Sequence, residues 1–190
     1  MTDAPASEFP PIVLDASVGI AIVRDEPAAA GIRASVARWA RFDREMVVPS
    51  LFWIEVLNPL TRTHRYTSED LLRAVDTLEE LTLTTIDPDR TLLLLTVDHI
   101  ERYGLTAYDA HYLALAHQLG ADLATLDADL LRAAGPHGVS PDGGHRLHET
   151  PAVYEHDVTW PEYKHASAYL AKLRAETLAA RRPVSSRRRP

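Results

Sequence analysis

Residues 104–130, GLTAYDAHYLALAHQLGADLATLDADL, read as a helix, a glycine stop, a short apolar strand and an acid at the strand's end. Asp109 opens the helix, and Ala110, Leu113, Ala114, Ala116 and Leu119 recur at the spacing of a buried helical face. Gly120 stands where a helix commonly ends on a left-handed residue. Leu123–Leu126 is short enough for a core strand, and Asp127 follows it directly. An acid at the C-terminal end of a parallel strand lies on the edge where open α/β sheets place their sites. Asp109 and Asp127 are thereby delivered to one neighbourhood.

The same grammar extends back through the chain. Ile12–Leu14 is a continuous apolar run, as in a buried parallel strand, and Asp15 follows it. A helix is expected over Ala16–Val23, capped by Asp15 or Ser17, and another over residues 28–42 with Ile32, Val36 and Trp39 on one face. Met46–Val48 is a second strand closed by Pro49. Ser50 can cap the helix beginning at Leu51, with Glu55 one turn in and Pro59 kinking or ending it. Residues 67–70, TSED, start a helix that leads through Leu71, Leu72, Val75, Leu78 and Leu81. Leu83–Ile86 is a third strand, and Asp87-Pro88-Asp89 opens a helix that Gly104 stops. A last short helix spans residues 127–134. Strands alternating with helices over short connections predict an α/β sandwich around a mostly parallel sheet. On this reading residues 1–11 are a disordered start, 12–136 the α/β unit, 137–161 a loop-rich extension, 162–181 a helix and 182–190 a basic disordered tail. No internal repeat is present.

The 190 residues, 46% hydrophobic and 25% charged, have an ordinary globular composition. Absence of cysteine removes disulfides, thiolate metal sites and cysteine nucleophiles, and is compatible with a reducing cytoplasm. No apolar run approaches the ~18 residues of a membrane span, and the acidic, proline-rich start is unlike a secretory signal. A cytoplasmic location with no membrane contact is expected. Residues 151–190 carry eight Lys/Arg against four Asp/Glu, so the other 150 residues hold −11 of the net −7. Such a body repels nucleic acid unless its acids converge on divalent cations, which reverse the local sign.

Four acids stand at comparable places: Asp15 and Asp127 after strands, Glu55 and Asp109 in first turns of helices. Carboxylates brought together raise one another's pKa, and a divalent cation resolves the conflict. Such a centre activates water and neutralises charge on a phosphodiester. The bland alternative is that Asp15, Asp109 and Asp127 only serve helix N-termini. Glu55, flanked by Phe52, Trp53, Val56 and Leu57, resists it. His99, His111 and His117 suit core or surface better than a metal, because 111 and 117 do not share a helical face.

V-L-D-A-S at 13–17, I-E-V-L-N at 54–58, A-Y-D-A-H at 107–111 and A-T-L-D-A-D at 124–129 together resemble a PIN domain, and most of all the VapC-type ribonuclease toxins of bacterial toxin–antitoxin pairs. The likeness covers roughly residues 12–135, with the acids in the family's order at intervals of 40, 54 and 18 residues. It implies a three-layer α/β/α fold and hydrolysis of single-stranded RNA by metal-activated water, leaving a 5′-phosphate and a 3′-hydroxyl. It assigns Asp15, Glu55, Asp109 and Asp127 to a Mg²⁺ or Mn²⁺ site. Ser17 and Thr125 match positions that orient carboxylate or water, and Asn58 matches a frequent polar position. A cognate antitoxin and a homodimer are the implied partners. Arg62 or Arg65 would contact RNA phosphates. Asp129 competes with Asp127 for the fourth place; Asp127 fits better, directly after the strand. About 50 C-terminal residues exceed the resemblance.

Other nucleotide chemistries fail on particulars. Neither G-x-x-x-x-G-K-[ST] nor G-x-G-x-x-G occurs, and residues 1–136 contain no lysine. Two rivals remain: a PIN nuclease of RNA processing without an antitoxin, and a non-catalytic PIN-fold binding module.

Overall fold

The computed structural model describes residues 9–24 and 29–142. The expectations for residues 1–8 and 143–190, including the helix at 162–181 and the basic tail, lie outside them. In chain order the elements are β1 (Ile12–Leu14), α1 (Ala16–Arg24), α2 (Ala29–Arg41), β2 (Met46–Pro49), α3 (Leu51–Arg62) and α4 (Ser68–Glu79). There follow β3 (Thr84–Ile86), α5 (Arg90–Tyr103), α6 (Ala107–Leu119), β4 (Asp122–Ala124), α7 (Ala128–Ala134) and β5 (Gly138–Val139). The strands form one sheet in the order β3-β2-β1-β4-β5, and every pairing is parallel.

That order explains the layers. The chain builds outward from β1 through β2 to β3, then returns to lay β4 on the other side of β1. Right-handed crossovers put helices of the outward run on one face and those of the return on the other. Accordingly α1 packs with α2, α3 and α4, whereas α6 lies on β1, β2 and β4 and packs with α5 and α7. The result is the expected α/β/α sandwich. The reversal falls between β1 and β4, and a reversal of this kind opens a crevice at the carboxyl ends of its two strands.

Core burial follows the sequence pattern. Ile12, Val13, Leu14, Val47, Val48 and Leu123 are inaccessible to solvent. α6 goes further than one apolar stripe: every residue from Ala110 to Ala116 is buried, as are Gln118 and Leu119. It is sandwiched between sheet and α5, which is why its apolar residues run almost all round. Gly19 fixes the other face. A Cβ there would stand 2.7 Å from the Phe52 ring and 3.0 Å from Val56, so only glycine lets α1 approach α3 this closely.

Several boundaries differ from the sequence reading, each for a local reason. α6 is capped by Thr106, whose hydroxyl accepts from the Asp109 amide at 3.2 Å, so Asp109 sits in the first turn instead of opening the helix. Pro59 does not end α3; the helix runs to Arg62 and forgoes only the amide bond that Pro59 cannot make. β4 ends at Ala124, because the next free amide, Leu126 N–H, donates to Ser17 Oγ at 3.0 Å instead of to a strand. β5 lies beyond position 136, where the sequence reading had placed loop. Two residues are too few to show a period, and pairing with Leu123 and Ala124 makes them a strand. Past β5, Ser35 Oγ on α2 donates to the Pro141 carbonyl at 2.9 Å, and Gly31 leaves room for the Asp142 backbone.

His99 on α5 and His111 on α6 are buried, and His117 on α6 is partly buried beside them. His111 shares a 2.9 Å hydrogen bond with Thr96 Oγ1. His99 and His117 stack at 5.1 Å with Nδ1 of His117 3.0 Å from Nε2 of His99. Burial, then the neighbouring His99, lowers His117 from 6.5 to about 4. A histidine that is neutral when folded but ordinary when unfolded supports the fold above the unfolded value, and that support is lost as pH falls through it. Urea midpoints should therefore drop between pH 7 and pH 4.5, by a contribution on the order of 2–3 kcal/mol. A His117→Gln variant should show a flatter profile, and an unchanged slope would refute the assignment.

Candidate functional site

The carboxyl edge of the β1/β4 reversal carries the acids. Asp15 directly follows β1 and continues the ladder, its amide donating to the Ala124 carbonyl at 3.0 Å. Its side chain is buried, 6% exposed. Three donors converge on Oδ2: the Ser17 hydroxyl, the Thr125 hydroxyl at 2.9 Å and the Ser17 amide at 3.3 Å. The same two hydroxyls accept from the turn after β4, Ser17 Oγ from the Leu126 amide and Thr125 Oγ1 from the Asp127 amide at 2.9 Å. Ser17 and Thr125 thus stitch the end of β1 to the segment bearing Asp127. Burial pushes the Asp15 carboxyl up, against the pull of these hydrogen bonds.

Glu55 is the fifth residue of α3, just past the first turn in which the sequence reading had placed it, because the helix already starts at Leu51. Tyr112, buried on α6, donates its phenol proton to Glu55 Oε2 at 2.7 Å. Burial raises the Glu55 carboxyl, the Tyr112 bond lowers it, and the charges of Asp15 and Asp109 raise it further. Asp15, Glu55 and Asp109 therefore share one electrostatic neighbourhood although they are 40 and 54 residues apart in sequence. Asp109 is half-buried, and its Oδ2 accepts from the Thr106 hydroxyl at 2.7 Å.

Asp127 is exposed and caps α7, Oδ1 accepting from the amides of Asp129 and Leu130 at 2.9 and 2.8 Å. The capping role is therefore real, and it occupies Oδ1 alone. Asp129 pairs with Arg132 at 2.6 Å, whereas Asp127 has no cationic partner among the described residues. Asn58 is exposed one turn beyond Glu55 and makes no hydrogen bond to the acids. Arg62, at the far end of α3, stands about 10 Å further along the helix axis than Glu55. Arg65 lines a groove with His64, Tyr66 and Arg73, so neither arginine is gathered to the acids.

No cation pairs with Asp15, Glu55, Asp109 or Asp127 among the described residues, and no three Asp, Glu or His side chains there close on a single ion. The donor set is carboxylate and hydroxyl oxygen. That fits a hard divalent ion of the Mg²⁺ kind, which takes one or two carboxylates directly and fills its shell with water. Tyr112 and Thr106 are the polar partners that reading the sequence missed. Tyr112 had a legible signal, three residues after Asp109 and so one turn along the same helix.

A parallel sheet with acids along the carboxyl edge of its reversal point defines a class of α/β fold. The PIN domain family model matches residues 12–136, and the chain belongs to that family. Among solved structures it is similar to a toxin–antitoxin complex from Klebsiella pneumoniae, at TM-score 0.52 and 20% identity over 68% of this chain and 97% of that one. PAE2754 from Pyrobaculum aerophilum gives 0.52 and 19%, covering 90% and 99%. VapC20 of Mycobacterium tuberculosis, a toxin that cleaves the sarcin-ricin loop, gives 0.53 and 17%, covering 65% and 95%. At these identities the likeness is one of fold. No curated protein matches the sequence.

Proposed function

We propose that this protein is a Mg²⁺- or Mn²⁺-dependent endoribonuclease acting on single-stranded RNA, the toxin of a toxin–antitoxin pair. The observation that carries the reading is the grouping of Asp15, Glu55 and Asp109 in one field, with no cation paired to them among the described residues, beside Asp127 at the sheet's reversal. Membership of the PIN family and the fold shared with a toxin–antitoxin complex and an RNA-cleaving toxin support it.

Asp15, Glu55, Asp109 and Asp127 would hold the ion, directly or through water. When bound, it supplies an activated water and neutralises charge on the phosphodiester. The chain's own contribution is positioning. Ser17 and Thr125 fix the orientation of Asp15, Thr106 fixes Asp109, and the Asp127 cap anchors the turn that faces them. Pairing of two copies belongs to the same proposal, and the exposed Leu93, Leu94 and Val97 on α5 offer a face that a second copy would cover.

The test is incubation of a mixed single-stranded RNA pool with purified protein, with Mg²⁺ or Mn²⁺ and with chelator. Metal-dependent fragments that vanish with a folded Asp109→Asn variant are expected. Folded wild type that leaves the pool intact would favour the binding-module rival.

A further inference from the structure

We propose that Tyr112 is a positioning residue of the metal site, holding the Glu55 carboxylate in the orientation from which it serves the ion. This inference rests on the metal-dependent reading above and extends it to a residue outside the four acids.

The geometry is specific. Tyr112 is inaccessible to solvent and among the largest fully buried side chains, so its hydroxyl must find partners inside the protein. The phenol proton is committed to Glu55 Oε2 at 2.7 Å, across 57 residues of sequence. The backbone amide of Ala16, directly after Asp15, adjoins the same phenol. Tyr112 lies one helical turn beyond Asp109 on α6. A single hydroxyl therefore touches or adjoins three of the four acid-bearing segments: the β1–α1 junction, the amino-terminal half of α3 and the start of α6.

A carboxylate on a long, half-buried side chain has several rotamers. Asp15 and Asp109 repel Glu55, so in isolation it would turn toward solvent. The Tyr112 bond opposes that turn and fixes one oxygen, which leaves Oε1 as the oxygen offered to the ion. Partners of this kind orient metal ligands, and losing one costs roughly 10- to 100-fold in metal affinity. The purely structural alternative, in which Glu55 serves only to satisfy a buried phenol, predicts no dependence of metal affinity on Tyr112.

The test is Mn²⁺ binding, read from free-ion electron paramagnetic resonance, for wild type, Asp15→Asn, Tyr112→Phe, Glu55→Ala and the Tyr112→Phe/Glu55→Ala double variant. Melting temperatures are recorded separately. Phenylalanine keeps the ring and its packing. Tyr112→Phe is expected to weaken Mn²⁺ at least about tenfold, and to weaken it by less than about twofold further when Glu55 is already alanine. Equal losses in both backgrounds, or an unchanged affinity in Tyr112→Phe, would overturn the role of Tyr112 and leave the metal reading standing. Wild type that binds Mn²⁺ no better than Asp15→Asn would overturn the metal reading, and this inference with it. A second measurement needs no variant. Substoichiometric Mn²⁺ should broaden the Tyr112 ring resonances of wild type more than those of Tyr66, and equal broadening would count against the placement.

Discussion

Asp15→Asn should lower RNA cleavage by about 100-fold or more while raising the melting temperature of the metal-free protein. The two effects share one cause. Asp15 is buried, and burial holds its carboxyl above the usual carboxylate range. A carboxyl raised on folding contributes most at low pH, where it is protonated. That contribution is lost as pH rises through the unfolded value toward the folded one, so near neutrality the ionised group opposes folding. Asparagine removes the charge yet keeps a carbonyl oxygen for Ser17 and Thr125. A gain on the order of 1 kcal/mol is expected, the usual direction when a site is relieved of its function. Paired cleavage assays and thermal melts check it. A variant that loses activity because it has lost its fold would contradict the account.

Arg44→Ala should behave in the opposite way, with a large loss of stability and cleavage intact in whatever remains folded. Arg44 pairs with Asp122 inside the protein, each side chain 10% exposed. Its Nε also donates to the Pro10 carbonyl at 2.8 Å, tying the chain before β1 to the start of β4. Asp122 additionally meets His137 at 3.4 Å. Truncating Arg44 leaves the Asp122 charge buried without its main partner, and breaking a buried pair this way costs about 3–5 kcal/mol. The pair sits at the amino ends of the strands, the edge remote from the acids. Chemical denaturation measures the loss; a cost below about 1 kcal/mol would mean that Asp122 rehydrates.

These two residues show what reading the sequence can and cannot reach. Asp15 was legible because an apolar run followed by an acid is a local pattern, and the helix caps at Thr67 and Asp89 and the stops at Gly104 and Gly120 are local too. With them came the order of strands and helices, and hence the sandwich. Asp122, one residue before the expected strand, reads as an unremarkable turn acid; its importance comes from Arg44, 78 residues away. β5 is a strand only because β4 stands beside it. Tyr112 stands one turn beyond Asp109 in sequence, but its partner Glu55 is 57 residues away and reaches its hydroxyl only through the placement of α3. Asp127 was placed at a strand end, but the strand stops at Ala124, since Ser17 and Thr125 capture the amides that would have prolonged it. The acids, and Ser17 and Thr125 beside them, were visible in sequence; the Tyr112 phenol that meets Glu55 was set by a tertiary contact.

The central claim is that the acids at the β1/β4 reversal form one divalent-cation site. The most direct measurement is anomalous diffraction from crystals equilibrated with millimolar Mn²⁺. The account predicts a single strong peak at that edge, bonded to Asp15 and at least one of Glu55, Asp109 and Asp127, and absent from Asp15→Asn crystals. No peak there, or the main peak elsewhere in the protein, would contradict it.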